Sequence, residues 1–161
     1  MQVIGVDPST KSGLVVVDGT DVHAQVLRAD CFKGISRVDW LRGQFDKWLD
    51  ERLSTSAINC AVIEGYAYAN KFTLTTLVEI GVCFRLSMYN RGIPCYICPP
   101  SVLKREIVGK GNATKQEVAA AVKSRWGYIS PSDDVVDAYC LAKLAQEIAH
   151  GKVFENMQLL S

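Results

Sequence analysis

The sequence lacks a bulk charge of either sign. Its 161 residues include 18 Lys and Arg and 17 Asp and Glu, a formal net charge of +1. A polycation that coats nucleic acid is therefore excluded, and any nucleic-acid contact must use a local basic patch. The sequence lacks an apolar run approaching the ~18 residues that span a bilayer. It also lacks a segment resembling a signal peptide, so a cytoplasmic protein with no membrane partner is expected. Only two histidines occur, His23 and His150, and neither sits in a motif. A P-loop, a G-x-S-x-G elbow and a Cys–His arrangement are all missing, which leaves nothing for covalent catalysis. Of the six cysteines only Cys95 and Cys98 have metal-like spacing. They lie in a stretch that reads as a strand, where residues three apart point to opposite faces, and no second pair completes four ligands.

What is present fits one domain by length. A hydrophobic fraction of 48% and a charged fraction of 22% exclude a disordered chain. Residues 2–7 read as a buried strand, residues 13–18 as a second, and Asp18-Gly19 as a hairpin turn leading to a third at 22–32. Residues 36–52 show helical period, with Val38, Leu41, Phe45, Trp48 and Leu49 on one side. A fourth strand at 58–63 ends at Glu64, a helix follows at 73–90, and a fifth strand at 93–98 is stopped by Pro99-Pro100. Ser101 to Val108 is a short helix candidate. Thr114-Lys115-Gln116-Glu117 is a capping box opening a helix to about Trp126. Ser130-Pro131-Ser132-Asp133 reads as a second box, opening a helix to about Ala149. A three-strand meander followed by alternating helices and strands predicts an α/β fold, a mixed five-stranded sheet flanked by helices.

Four carboxylates are oddly placed. Asp7 and Glu64 each end an apolar strand, and open α/β sheets bind ligands at the carboxyl ends of their strands. If those strands are parallel neighbours, the two acids converge. Asp134 and Asp137 are three apart and share a helix face, where like charges repel unless a cation lies between them. Asp133 is explained as a helix N-terminal acid, but Asp137 lies in the second turn beside Ala138, Leu141 and Ala142. Hard oxygen donors without Cys or His favour Mg²⁺ or Mn²⁺ over zinc. Two such cations roughly 4 Å apart suit phosphodiester hydrolysis by an in-line water.

The substrate clue lies downstream. Residues 101–127 carry a net +4 through Lys104, Arg105, Lys110, Lys115, Lys123 and Arg125 against Glu106 and Glu117, and residues 128–161 carry a net −3. Lys115 sits at a helix N-terminus, where the dipole disfavours a cation but a phosphate would meet helix amides and ammonium together.

The chain resembles the RuvC family of Holliday-junction resolvases, on the ribonuclease-H-like fold. The resemblance is carried by Ile4-Gly5-Val6-Asp7-Pro8 with Ser12-Gly13, Val62-Ile63-Glu64, Gly81 and Arg91-Gly92-Ile93-Pro94. It continues through Pro99-Pro100-Ser101-Val102-Leu103-Lys104, Gly109 to Lys115, and Asp134-Val135-Val136-Asp137-Ala138. It implies a homodimer that makes paired nicks in opposing strands of four-way branched DNA, with no nucleotide cofactor. It implies Asp7, Glu64, Asp134 and Asp137 as metal-binding catalytic acids, with Mg²⁺ (or Mn²⁺ in its place) expected as two ions per site. It also implies Lys104 and Lys115 as contacts to the backbone near the scissile phosphate, Lys115 counting with the catalytic groups. Arg105, Lys110, Tyr66 and Tyr68 complete the expected DNA-binding set. The chain departs from the family at Ser9, where a Gly is usual, and at Ala67, where an aromatic is common. Its small size and divergence suit a phage-encoded relative.

Three other readings remain open at this stage. Gly5 to Gly13 also resembles the phosphate hairpin of actin-like ATP-binding modules, which use two such domains. A branched-DNA binder that does not cut, and a related nuclease acting on RNA or flaps, are the others. The helix at 73–90 is expected to carry a dimer interface on the stripe Leu74, Leu77, Gly81, Phe84 and Met88, with Val78, Val82, Leu86 and Tyr89 adding apolar character elsewhere.

Overall fold

A computed structural model describes residues 1–66 and 71–160 of the chain. Strands β1 (Gln2–Asp7), β2 (Lys11–Asp18) and β3 (Asp21–Arg28) form the meander. They are followed by α1 (Gly34–Leu53), β4 (Ile58–Glu64), α2 (Lys71–Tyr89) and β5 (Cys95–Cys98). Helices α3 (Pro100–Val108), α4 (Lys115–Trp126) and α5 (Asp133–Ala149) then precede a short strand β6 (Gln158–Leu160). The sheet order is β3-β2-β1-β4-β5-β6, with β1, β4 and β5 parallel and the other neighbours antiparallel.

Alternation along the strands builds two cores. Val3, Val15, Val17, Cys60 and Val62 face α3, α4 and α5. Ile4, Leu14, Val16, Ala61 and Ile63 face α1 and α2. Because β1 is central and covered on both faces, all six of its residues are buried, and it reads as a continuous apolar run. Cys95 belongs to one core and Cys98 to the other, so the two thiols point to opposite faces as expected.

The sheet has six strands rather than the expected five. The added strand, β6, is three residues long and mostly exposed, so it carries no alternation from which it could be read. The third strand stops at Arg28, short of residue 32. The box expected at Ser130 does not form. Ser130 Oγ instead accepts from the Ser132 amide at 3.2 Å in a local turn, and α5 starts at Asp133 behind Ser132. The Thr114 box does form, both ways.

The expected stripe on α2 is corrected as well. Phe84 and Met88 are fully buried within the domain, and Phe84 stacks on Phe45 of α1 at 4.2 Å, worth about 0.5–1.5 kcal/mol beyond its burial. Gly81 faces the ring of Tyr66, where a Cβ would lie 2.8 Å from the hydroxyl. The apolar face left in solvent is Val82, Leu86 and Tyr89, joined by Leu159 of β6.

Helix α5 lies directly on β1 and β2. A Cβ on Gly5 would sit 2.0 Å from the carbonyl oxygen of Ala138 and 2.3 Å from the amide nitrogen of Ala142. Gly5→Ala is therefore expected to cost about 3 kcal/mol or more, because backbone on both sides must move. Gly43→Ala, on the exposed side of α1 with nothing within 4 Å, is expected to gain about 0.5–1 kcal/mol. Urea midpoints check the pair, and equal shifts would contradict the close helix–sheet contact.

Candidate active site

The strand register brings Asp7 and Glu64 together. On β1, Val3, Gly5 and Asp7 share the face turned to α5, and on β4 Cys60, Val62 and Glu64 do the same. The parallel pairing runs to Val6↔Ile63, so the next residues, Asp7 and Glu64, end neighbouring strands side by side. Helix α5 starts over this point. A Cβ on Gly13 would lie 2.0 Å from the carbonyl oxygen of Asp134, which puts the first turn of α5 against the start of β2.

The acids act on one another electrostatically. Asp7 is only 8% exposed, and burial, then Glu64, Asp137 and Asp134, hold its carboxyl well above the ordinary range. Glu64 is pushed up to about 7 by burial and by Asp137, partly offset by its hydrogen bond to Asp7 and by Lys104 and Lys115. Asp137 is raised by burial against the opposing pull of Lys115. Asp134 accepts from Ser132 Oγ at 3.3 Å and pairs with Lys11 at 3.1 Å. Among the described residues no three acids, imidazoles or thiols already form a closed cation cage. The donor set nevertheless fits a hard divalent cation: carboxylate oxygens that repel one another, with no thiolate or imidazole among them.

The expected basic residues fall into two groups. Lys104, on α3, and Lys115, at the first position of α4, both act on Glu64 and Asp137. Lys115 Nζ also pairs with Asp133 at 3.3 Å. Partial burial works against its charge, but Asp133, Asp137 and Asp134 outweigh it and raise the ammonium pKa. Lys110 is bound instead to Glu117, which it helps hold down at about 2. Arg105 lines a separate cleft of about 230 Å³ with Glu106 and residues 152–156. Tyr66 is engaged by α2: its hydroxyl donates to the Val78 carbonyl at 3.2 Å and accepts from Arg85 at 2.9 Å. Tyr68 lies outside the described residues. Lys11 was not among the candidates. Its only sequence signal is its position in the Gly5–Gly13 hairpin, four residues after Asp7.

The mixed sheet with helices on both faces is a ribonuclease-H-like fold, and the comparisons identify a metal-dependent nuclease of that class. The family model described as crossover junction endodeoxyribonuclease RuvC matches residues 3–144, and the chain belongs to that family. The RuvC of a Parafrankia strain is 32% identical over 130 residues, covering 76% of this chain and 71% of the relative. That of Streptomyces griseus is 32% identical over 153 residues, covering 88% and 73%. The structure of Thermus thermophilus RuvC in complex with Holliday junction substrate shares the fold. Its TM-score is 0.77 at 19% identity, with 99% of each chain covered.

The raised carboxyls set a pH dependence. Folding favours the protonated forms of Asp7, Glu64 and Asp137, so this contribution is complete below the ordinary carboxylate range, near pH ~4. It is lost as pH rises through the folded value of Glu64, about 7. In chelator, Asp7→Asn is therefore expected to be more stable than the parent at pH 8, by on the order of 2 kcal/mol, and closer to it at pH 5. Urea denaturation at both pH values checks this. A difference that does not grow with pH would contradict the shared burial of the acids.

Proposed function

We propose that this chain resolves four-way DNA junctions by paired, metal-dependent nicks in opposing strands. The observation that carries the reading is that Asp7 and Glu64 end neighbouring parallel strands beneath the helix that bears Asp134 and Asp137. Family membership supports the substrate, and the relatives are bacterial proteins, which suits action in the cytoplasm of a bacterial cell. No helix among the described residues is long and apolar enough to cross a membrane.

Asp7, Glu64, Asp134 and Asp137 would hold Mg²⁺, or Mn²⁺ in its place, as two ions. Bound there, the ions supply Lewis-acid stabilisation of the attacking and leaving oxygens. The chain's own groups do the rest. Burial raises the carboxyls of Asp7 and Glu64, so the free protein favours their protonated forms more than an exposed pair would. Lys104 and Lys115, from two different helices, hold the scissile phosphate against the acids, Lys115 with the free amides of the α4 N-terminus beside it. Arg105 and Lys110 serve DNA farther along the arm, and Tyr66 ties the end of β4 to α2 through Val78 and Arg85.

Asp7→Asn is expected to reduce nicking of a four-way junction by at least about a thousandfold, as loss of a transition-state charge contact does, while junction binding stays within a few-fold. Excess EDTA should have the same effect. Nicking assays on matched four-way, three-way, flap and duplex substrates check both activity and substrate. Full activity in EDTA would overturn the mechanism, and faster cleavage of flaps would reassign the substrate.

Paired nicks need two sites related by a two-fold axis, so the working species is a homodimer. The exposed Val82, Leu86 and Tyr89 of α2 supply its face. Leu86→Glu is expected to give a folded monomer with uncoupled nicks, whereas Phe84→Glu should fail to fold, since Phe84 is core. Light scattering and circular dichroism check both. A wild-type chain that stays monomeric on the junction would refute the dimer.

A further inference from the structure

The β1–β2 hairpin carries a cation that the proposed reaction leaves without a role. Lys11 Nζ lies 3.1 Å from Asp134 Oδ2, the oxygen that also accepts from Ser132 Oγ at 3.3 Å. Backbone geometry sets this contact. Lys11 and Gly13 are two apart on β2 and leave the same face of the sheet. A Cβ on Gly13 would sit 2.0 Å from the Asp134 carbonyl oxygen, so the root of Lys11 stands against the first turn of α5. The turn before it is tied down as well. The fully buried Ser12 donates its Oγ hydrogen to the Ser9 carbonyl at 2.6 Å, and the Lys11 amide donates to Ser9 Oγ at 3.0 Å.

The position is a costly one for an ammonium group. The α5 dipole opposes a cation at the helix N-terminus. Across the β2–β3 ladder Lys11 stands directly opposite Arg28, and like charges so placed destabilise a sheet. Both penalties are tolerated at the one place where the ammonium reaches Asp134, an acid assigned above to the metal.

We infer that Lys11 is a stand-in cation, which holds Asp134 in the free protein and competes with the divalent ion for that carboxylate. Ion binding and release of Lys11 are then a single exchange. The exchange lowers the negative charge of the unloaded acid cluster, and it makes metal affinity weaker than the acids alone would give. This inference rests on the metal reading above.

Manganese binding to the full chain without DNA tests it, read by calorimetry or by the spin-resonance signal of free Mn²⁺, so that no turnover is involved. Lys11→Met removes the charge and keeps an apolar stem. It is expected to bind Mn²⁺ roughly five- to ten-fold tighter, the size of a partly exposed charge contact. Lys11→Gln should move the same way, and Lys11→Arg, which keeps the charge, should bind Mn²⁺ no more tightly than the parent. A lysine that only braced α5 would instead lower urea stability and leave Mn²⁺ affinity unchanged. Unchanged or weaker Mn²⁺ binding in both neutral variants overturns the role of Lys11 and leaves the metal site standing. A parent chain that binds no Mn²⁺, equal in this to Asp7→Asn, overturns the metal reading and the exchange with it.

Discussion

The direct contact of α5 with β1 and β2 is the constraint on which the site depends. At Gly5 and Gly13 the sheet presents no side chain, and the helix answers with the backbone of Ala138 and Ala142 at the first and of Asp134 and Val135 at the second. With ordinary side chains between the layers, the first turns of α5 would ride higher and Asp137 would stand clear of Asp7 and Glu64. The glycines are therefore part of the site although they carry no chemistry. The same contact puts the acid-bearing end of α5 over the carboxyl ends of two parallel strands, where an α/β sheet leaves room for a ligand.

Most of this was readable from residue types. Asp7 and Glu64 stand out because an acid ends an otherwise apolar strand, and a parallel β1–β4 pair then makes them neighbours. Asp137 stands out because a charge in the second turn of a buried helix has no capping role. The thiols at Cys95 and Cys98 separate by the pleat alone. What could not be read depends on tertiary packing. The two apolar stripes of α2 look alike in sequence, and only the position of α1 decides that Phe84 and Met88 go inside while Leu86 and Tyr89 stay out. Strand β6 has too few residues to show a period. Lys11 looks like one more surface lysine until the hairpin is folded back on α5.

The electrostatics of the site also explain why its cations are lysines drawn from separate elements. Burial and mutual repulsion raise the carboxyls of Asp7 and Glu64 and so favour protonation inside the cluster. Farther out, where solvent reaches, Lys11, Lys104 and Lys115 supply the compensation from β2, α3 and α4. An arginine fork would bind a carboxylate through two bonds at once and be harder to displace, whereas a lysine ammonium is a point charge on a flexible stem. Such point charges suit the proposed exchange for a metal ion at Asp134 and for a phosphate near Glu64 and Asp137. The division follows the geometry. Lys11 touches Asp134 itself, while Lys104 and Lys115 stand on the two helices of the basic stretch and act on Glu64 and Asp137.

This arrangement sets the site against the stability of the fold that holds it. Repelling acids, a buried carboxyl and a lysine facing an arginine are each unfavourable when nothing is bound. The two apolar cores, one on each face of a sheet whose central strand is wholly buried, carry that cost. Binding of a divalent ion reverses its sign, because any ligand that prefers the folded state stabilises it. On the proposed assignment, stability and activity are therefore coupled through the same four carboxylates. Changes that relieve the repulsion, such as neutral residues at the acids, stabilise the empty protein at the expense of its chemistry.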